Sequence, residues 1–192
     1  MKYDIVLAGV GGQGVLSLAA AIATGAMVEK LFVKQAEVHG MAQRGGAVMA
    51  TLRMADHEIA SDLIPKGTAL LILSLEPLES LRYIPYLSPR GTLVTSANPV
   101  RNIPDYPVLE ELLSSIRTLP GAIVVDAENL ARQAGSARAA NMVMVGAAMH
   151  LLPVKPETIE AAVRTIFARK GEDVLHINLA ALRAGREAAG AH

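Results

Sequence analysis

Apolar positions along the chain fall into short unbroken runs separated by Ala-rich or striped stretches. Asp4–Ala8 reads as a first strand, too uniformly apolar to be exposed on one face. Gln13 to about Glu29 follows as a helix apolar on most sides, hence buried on more than one. Leu31–Glu37 predicts a second strand, residues 40–46 a polar glycine-containing loop, and Ala47–Met54 a third strand. Asp56-His57 marks a turn into Glu58–Ser61, read as the return arm of a hairpin.

Ala69–Leu75 is another continuous apolar run, and a helix starts at Glu76-Pro77 and carries through Arg82. Thr92–Ser96 predicts the next strand, residues 98–107 a proline- and asparagine-rich loop, Val108–Arg117 a short helix and Ala122–Asp126 a last strand. The remainder reads as helical. Asn141–Leu152 is apolar enough for a central or interface helix. From Pro156 a stripe of Ile159, Ala162, Val163, Ile166 and Phe167 ends at Arg169-Lys170-Gly171. Strands alternating with helices predict a single domain over residues 1–192. Its fold class is three-layer α/β/α around a mainly parallel, Rossmann-like sheet, with an antiparallel excursion near residues 47–61.

Composition narrows the functions. Eighteen Lys and Arg balance eighteen Asp and Glu, and the basic residues are scattered, which gives no footprint for nucleic acid or anionic lipid. The chain has no cysteine, so it offers neither a disulfide, a thiolate metal site, nor a Cys-ligated iron–sulfur cluster. Its longest apolar stretch, 139–153, is interrupted by Asn141, Gly146 and His150 and is shorter than the roughly 20 residues that span a bilayer. With no secretory signal visible either, a soluble cytoplasmic protein is expected. His150 stands without ligand-spaced partners and is expected to be a buried or boundary residue; no metal site is expected.

The candidate chemistry lies in two glycine-containing segments. Gly9, Gly11 and Gly14 fit GxGxxG between a strand and a helix, where backbone N–H groups can meet an anion. Glu37 lies 23 residues beyond Gly14, about where a dinucleotide fold places its ribose-binding acid, so a stand-alone NAD(P)-dependent oxidoreductase is one reading. Two features depart from it. Gly12-Gln13 places an amide side chain inside the loop. After Glu37 the chain runs through His39, Gln43, Arg44, Gly45 and Gly46 and returns as a strand instead of a helix.

Gly9-Val10-Gly11-Gly12-Gln13-Gly14, followed by Glu37-Val38-His39-Gly40-Met41-Ala42-Gln43-Arg44-Gly45-Gly46, resembles the gamma subunit or domain of 2-oxoacid:ferredoxin oxidoreductases. The wording is most similar to the beta subunit of the indolepyruvate type. Similarity extends through Ser61–Pro65, Leu75–Glu79 with Arg82, Asp126, and Asn141 to Gly146. The resemblance implies a subunit without catalytic residues of its own, inactive in isolation. Thiamine diphosphate and iron–sulfur clusters are then carried by a partner subunit that passes electrons to ferredoxin. The assembled enzyme decarboxylates a 2-oxoacid oxidatively to an acyl-CoA, and the gamma domain is implicated in receiving coenzyme A.

Within that reading Arg44 is the preferred anion contact, or else it pairs with an acid such as Glu37. Gln13 and Gln43 fasten the loops together or meet a ligand, and His39 is a polar neighbour. Glu76 and Glu79 read as helix-capping acids, and Asp126 as an N-cap at the ligand edge of the sheet. A purely structural scaffold subunit remains the third reading, and an apolar face awaiting a partner implies self-association of the free chain.

Overall fold

The first strand is buried along nearly its whole length because it sits in the middle of a six-stranded sheet. The computed structural model describes residues 1–39 and 45–190, with His39 given by its backbone alone. The strands are β1 (Lys2–Val10), β2 (Phe32–His39), β3 (Ala47–Ala55), β4 (Ala69–Ser74), β5 (Leu87–Ser96) and β6 (Ile123–Val125). Their order is β2-β3-β1-β4-β5-β6. β1, β4, β5 and β6 run parallel, while β3 is antiparallel to both β1 and β2. The fold is therefore the expected mixed α/β one, with its antiparallel part formed by β3 wedged between β2 and β1.

Helices cover both faces, as a sheet buried on two sides requires. Ile5 and Leu7 of β1 point into the larger core. That core is built by α1 (Val15–Val28), α4 (Ala127–Gln133), α5 (Ala140–Ala148), α6 (Pro156–Phe167) and α7 (Glu172–Gly190). Val6 points the other way, to Ile72, Leu93, Leu112 and Ile116, beneath α2 (Pro77–Arg82) and α3 (Leu109–Arg117). Every residue of α5 from Asn141 to Ala148 is buried, so this is the central helix of the larger layer. It meets α7 backbone to backbone. A Cβ on Gly146 would lie 1.9 Å from the Leu182 carbonyl oxygen, and one on Gly185 would lie 1.9 Å from that of Val143.

Three expectations need correction. Residues 58–61 form no strand. Arg53, on β3, directs its guanidinium to the carbonyls of Ser61 and Leu63 at 2.8 and 2.7 Å, and Thr51 Oγ1 donates to the Asp62 carbonyl at 3.0 Å. Side chains thus satisfy backbone groups that a hairpin would have paired. The helix expected over 141–152 ends as α-helix at Ala148 and finishes in a 3-10 turn, Met149–Leu151. His150 lies in that turn and is exposed. Third, β5 starts at Leu87 rather than Thr92, and its register against β4 shifts between Ala69 and Leu71.

Candidate functional site

Ligands of open α/β sheets collect where the connections leave in opposite directions, at the carboxyl ends of the strands. Here that point lies between β1 and β4, since the chain passes from β1 to β2 and β3 on one side and then to β4 on the other. A cleft of about 350 Å³ opens there. Its walls come from the turn after β1 (Gly12, Gln13, Gly14), from Leu75, from Ser96 and Asn98, and from Glu128, Arg138 and Asn141.

The turn after β1 is locked from three sides. Gln13 Oε1 accepts from the Val10 N–H at 2.7 Å, and Gln13 Nε2 donates to the Leu75 carbonyl at 2.9 Å. Both halves of the amide are therefore spent on the scaffold, which makes Gln13 a fastener between β1 and β4. The second glycine loop is tied by backbone: the Gly11 N–H donates to the Gly46 carbonyl at 2.9 Å, and Asn102 Nδ2 donates to the Gly45 carbonyl at 2.5 Å. Gly14 caps α1 with φ of 87°, and a Cβ there would lie 2.7 Å from Asn141 Nδ2. No side chain caps α1, so its first-turn N–H groups face the cleft without a side-chain acceptor.

Around this turn the polar groups are orderly. Asn98 Nδ2 donates to Asp126 Oδ1 at 2.8 Å, and Asn98 Oδ1 accepts from the Glu128 N–H at 2.9 Å. Asp126 Oδ1 also accepts from the Asn129 N–H at 3.2 Å, the N-cap expected of it. Glu76 caps α2 by accepting from the Glu79 N–H at 2.7 Å, and its other oxygen accepts from the Tyr106 hydroxyl. Burial, with the Glu76 carboxylate beside it, pushes the Tyr106 phenol well above its ordinary value. Glu79 is buried and pairs with Arg82 at 2.9 Å.

Gly9, Gly11, Gly12, Gln13, Gly14, Gly45 and Gly46 thus converge at the sheet edge. Glu37 joins them from the far side of the turn, sharing a shallow side groove with Gly11, Gly12, Gly14 and Val48. It does not hold the dinucleotide position. The strand beside β1 is the antiparallel β3, and Glu37 lies one strand further out, opposite Ala50. Gln43, Arg44 and the His39 side chain lie outside the described residues. Sequence reasoning missed Ser96, Asn98, Glu128 and Arg138 as cleft residues. Asn98 carried a signal in its loop composition; nothing in the pattern singled out Arg138. Among the described residues no three His, Cys, Asp or Glu cluster to hold a metal ion, and no helix is long and apolar enough to cross a membrane.

Comparison with known proteins decides the family. The family described as pyruvate ferredoxin/flavodoxin oxidoreductase matches residues 4–188. The chain belongs to it. Indolepyruvate oxidoreductase subunit IorB of Archaeoglobus fulgidus is 39% identical over 96% of this chain and 94% of its own length. The keto/oxoacid ferredoxin oxidoreductase gamma subunit of Geobacter sulfurreducens shares the fold, with a TM-score of 0.74 over 99% of both chains at 24% identity. So does the 2-oxoglutarate:ferredoxin oxidoreductase of Magnetococcus marinus, solved with 2-oxoglutarate, coenzyme A and succinyl-CoA bound. There the TM-score is 0.78 at 22% identity, over 100% of this chain and 31% of that one. This member of the oxidoreductase family is therefore a small subunit of the 2-oxoacid:ferredoxin type, as its paired glycine loops implied.

Proposed function

We propose that this chain, acting as one domain, is the small subunit of an indolepyruvate- or aryl-pyruvate-type 2-oxoacid:ferredoxin oxidoreductase, and that its glycine-turn cleft receives coenzyme A. The observation that carries the reading is the pairing of the two glycine loops, Gly11 to Gly46, beside an uncapped helix N-terminus. Near full-length identity to an indolepyruvate oxidoreductase subunit supports the substrate class.

Gly9, Gly11, Gly12 and Gly14 keep the turn free of side chains, so backbone N–H groups approach a diphosphate. From the sequence of the second loop, Arg44 is the candidate cation beside Gly45 and Gly46, and His39, Gln43 and Glu37 are its further candidate contacts. Gln13 holds the turn in place. As the family resemblance implies, thiamine diphosphate and iron–sulfur clusters reside on a partner subunit, and the absence of cysteine from this chain agrees with that for the clusters. That partner decarboxylates the 2-oxoacid and passes two electrons singly to ferredoxin in the cytoplasm. Coenzyme A then leaves as the acyl thioester.

Anaerobic affinity purification from the host tests this. The eluate should contain a larger chain with thiamine diphosphate and iron, and should reduce a viologen dye with indolepyruvate and coenzyme A. A chain that elutes alone and binds NAD stoichiometrically would overturn the reading.

A further inference from the structure

A second cleft of about 330 Å³ backs onto the first, between α1 and the start of α7. Arg138 and Asn141 line both, so the 3-10 turn Ala137–Ala139 is the partition between them. Beyond it stand Ser17, Lys170 and Asn178 on the polar side and Phe167, Val174 and Ile177 on the apolar side.

The lining of this second cleft carries two cations and no acid. Five guanidiniums elsewhere are paired: Arg53 with Asp4, Arg82 with Glu79, Arg132 with Glu128, and Arg164 and Arg183 with Glu160. Arg138 and Lys170 pair with no carboxylate among the described residues. The Lys170 ammonium lies over the Phe167 ring, 4.8 Å from its centroid, which fixes the end of a flexible side chain at the cleft wall. Two cations without acids, an apolar floor and hydroxyl and amide groups make a seat for an anion attached to a partly apolar body.

We infer that the two clefts form one bipartite site, in which the second seats a terminal phosphomonoester of the ligand whose diphosphate meets the glycine turn. Arg138 stands on the partition and Lys170 at the far end. This rests on the coenzyme A reading above; on that reading the group held by Lys170 is the 3′-phosphate, with the adenosine against Val174 and Ile177. The inference assigns Lys170 the choice between coenzyme A and its dephosphorylated form.

The test is calorimetric titration of the full chain, alone and in complex with its partner subunit, with coenzyme A, dephospho-coenzyme A and 3′,5′-ADP. Lys170→Ala should weaken coenzyme A and 3′,5′-ADP by about tenfold, the worth of one charge-assisted hydrogen bond, and leave dephospho-coenzyme A unchanged. Lys170→Arg should restore most of the loss, and Arg138→Ala should weaken both forms of the coenzyme. If coenzyme A binds but the wild type does not distinguish the two forms, or Lys170→Ala weakens both equally, the second seat is refuted and the coenzyme A reading stands. If neither chain nor complex binds coenzyme A at all, both fall together. Lys170 is exposed, so unchanged thermal unfolding of its variants serves as the folding control.

Discussion

Gln13 Nε2 donates to the Leu75 carbonyl at 2.9 Å, joining the turn after β1 to the end of β4 across the point where the sheet changes direction. Because its Oε1 also takes the Val10 N–H, one amide closes the floor of the cleft. Gln13→Leu keeps the bulk and strips both bonds, leaving a donor and an acceptor facing hydrocarbon. It is expected to cost about 1–3 kcal/mol, read by urea unfolding, and to weaken coenzyme A binding. Gln13→Ala should cost less, because water can enter the space. Equal stability of all three proteins would show that the amide holds nothing.

The crossing of α5 and α7 permits no side chain at its centre. Alanine at Gly146 or Gly185 would gain about 1 kcal/mol in helix propensity, but its Cβ would sit 1.9 Å from a backbone carbonyl oxygen. Backbone must move for that, and overpacking costs of about 1–3 kcal/mol or more exceed the gain. Either substitution should lower Tm, whereas Gly190→Ala, with nothing within 4 Å, should leave it level or raise it. Scanning calorimetry of the three variants decides it.

Much of this was legible in the sequence, for identifiable reasons. β1 and β4 are apolar on both faces because helices cover both, and such runs need no long-range knowledge to find. The 58–61 segment misled because what shapes it is Arg53, whose contacts with Ser61 and Leu63 no period of two or 3.6 can register. The start of β5 was missed because Pro89-Arg90-Gly91 lies between Leu87 and Thr92, the partners of Ala69 and Leu71, where the register shifts. The glycine turn declared itself through residue type, since an anion cradle needs missing side chains. Arg138 did not, because it enters the cleft only through the folding of α4 against α5.

Asp4 and Arg53 form a buried pair, with Nε–Oδ1 at 2.9 Å and Nη2–Oδ2 at 3.2 Å. Arg53→Leu would leave the Asp4 carboxylate buried, with only the exposed Lys2 ammonium at 3.1 Å, and would release the carbonyls of Ser61 and Leu63. Breaking such a pair by removing one partner costs about 3–5 kcal/mol. The variant should also be cut by protease within residues 56–68 under conditions where the parent is intact. Asp4→Leu combined with Arg53→Leu should recover part of the stability. Limited proteolysis and denaturant unfolding of both separate the two effects.

Glu160 links α6 to α7 by accepting from Arg183 at 2.6 Å and Arg164 at 2.8 Å. Those two guanidiniums, Arg183 foremost, hold its carboxyl below the ordinary value of 4.5. A carboxyl depressed in the folded state binds its proton more weakly there than in the unfolded chain, so the pair contributes fully above 4.5. The contribution drains away as pH falls through the lowered folded-state value. The Glu160 side chain is 30% exposed and its arginine partners are more so, and solvent screening keeps such surface pairs to about 1 kcal/mol or less. Glu160→Gln should therefore be slightly less stable than the parent at neutral pH and equal to it in strong acid, with 0.5 M salt narrowing the neutral gap. Urea unfolding of both proteins along a pH series gives the difference directly; a gap independent of pH would show that Glu160 acts by packing and not by charge.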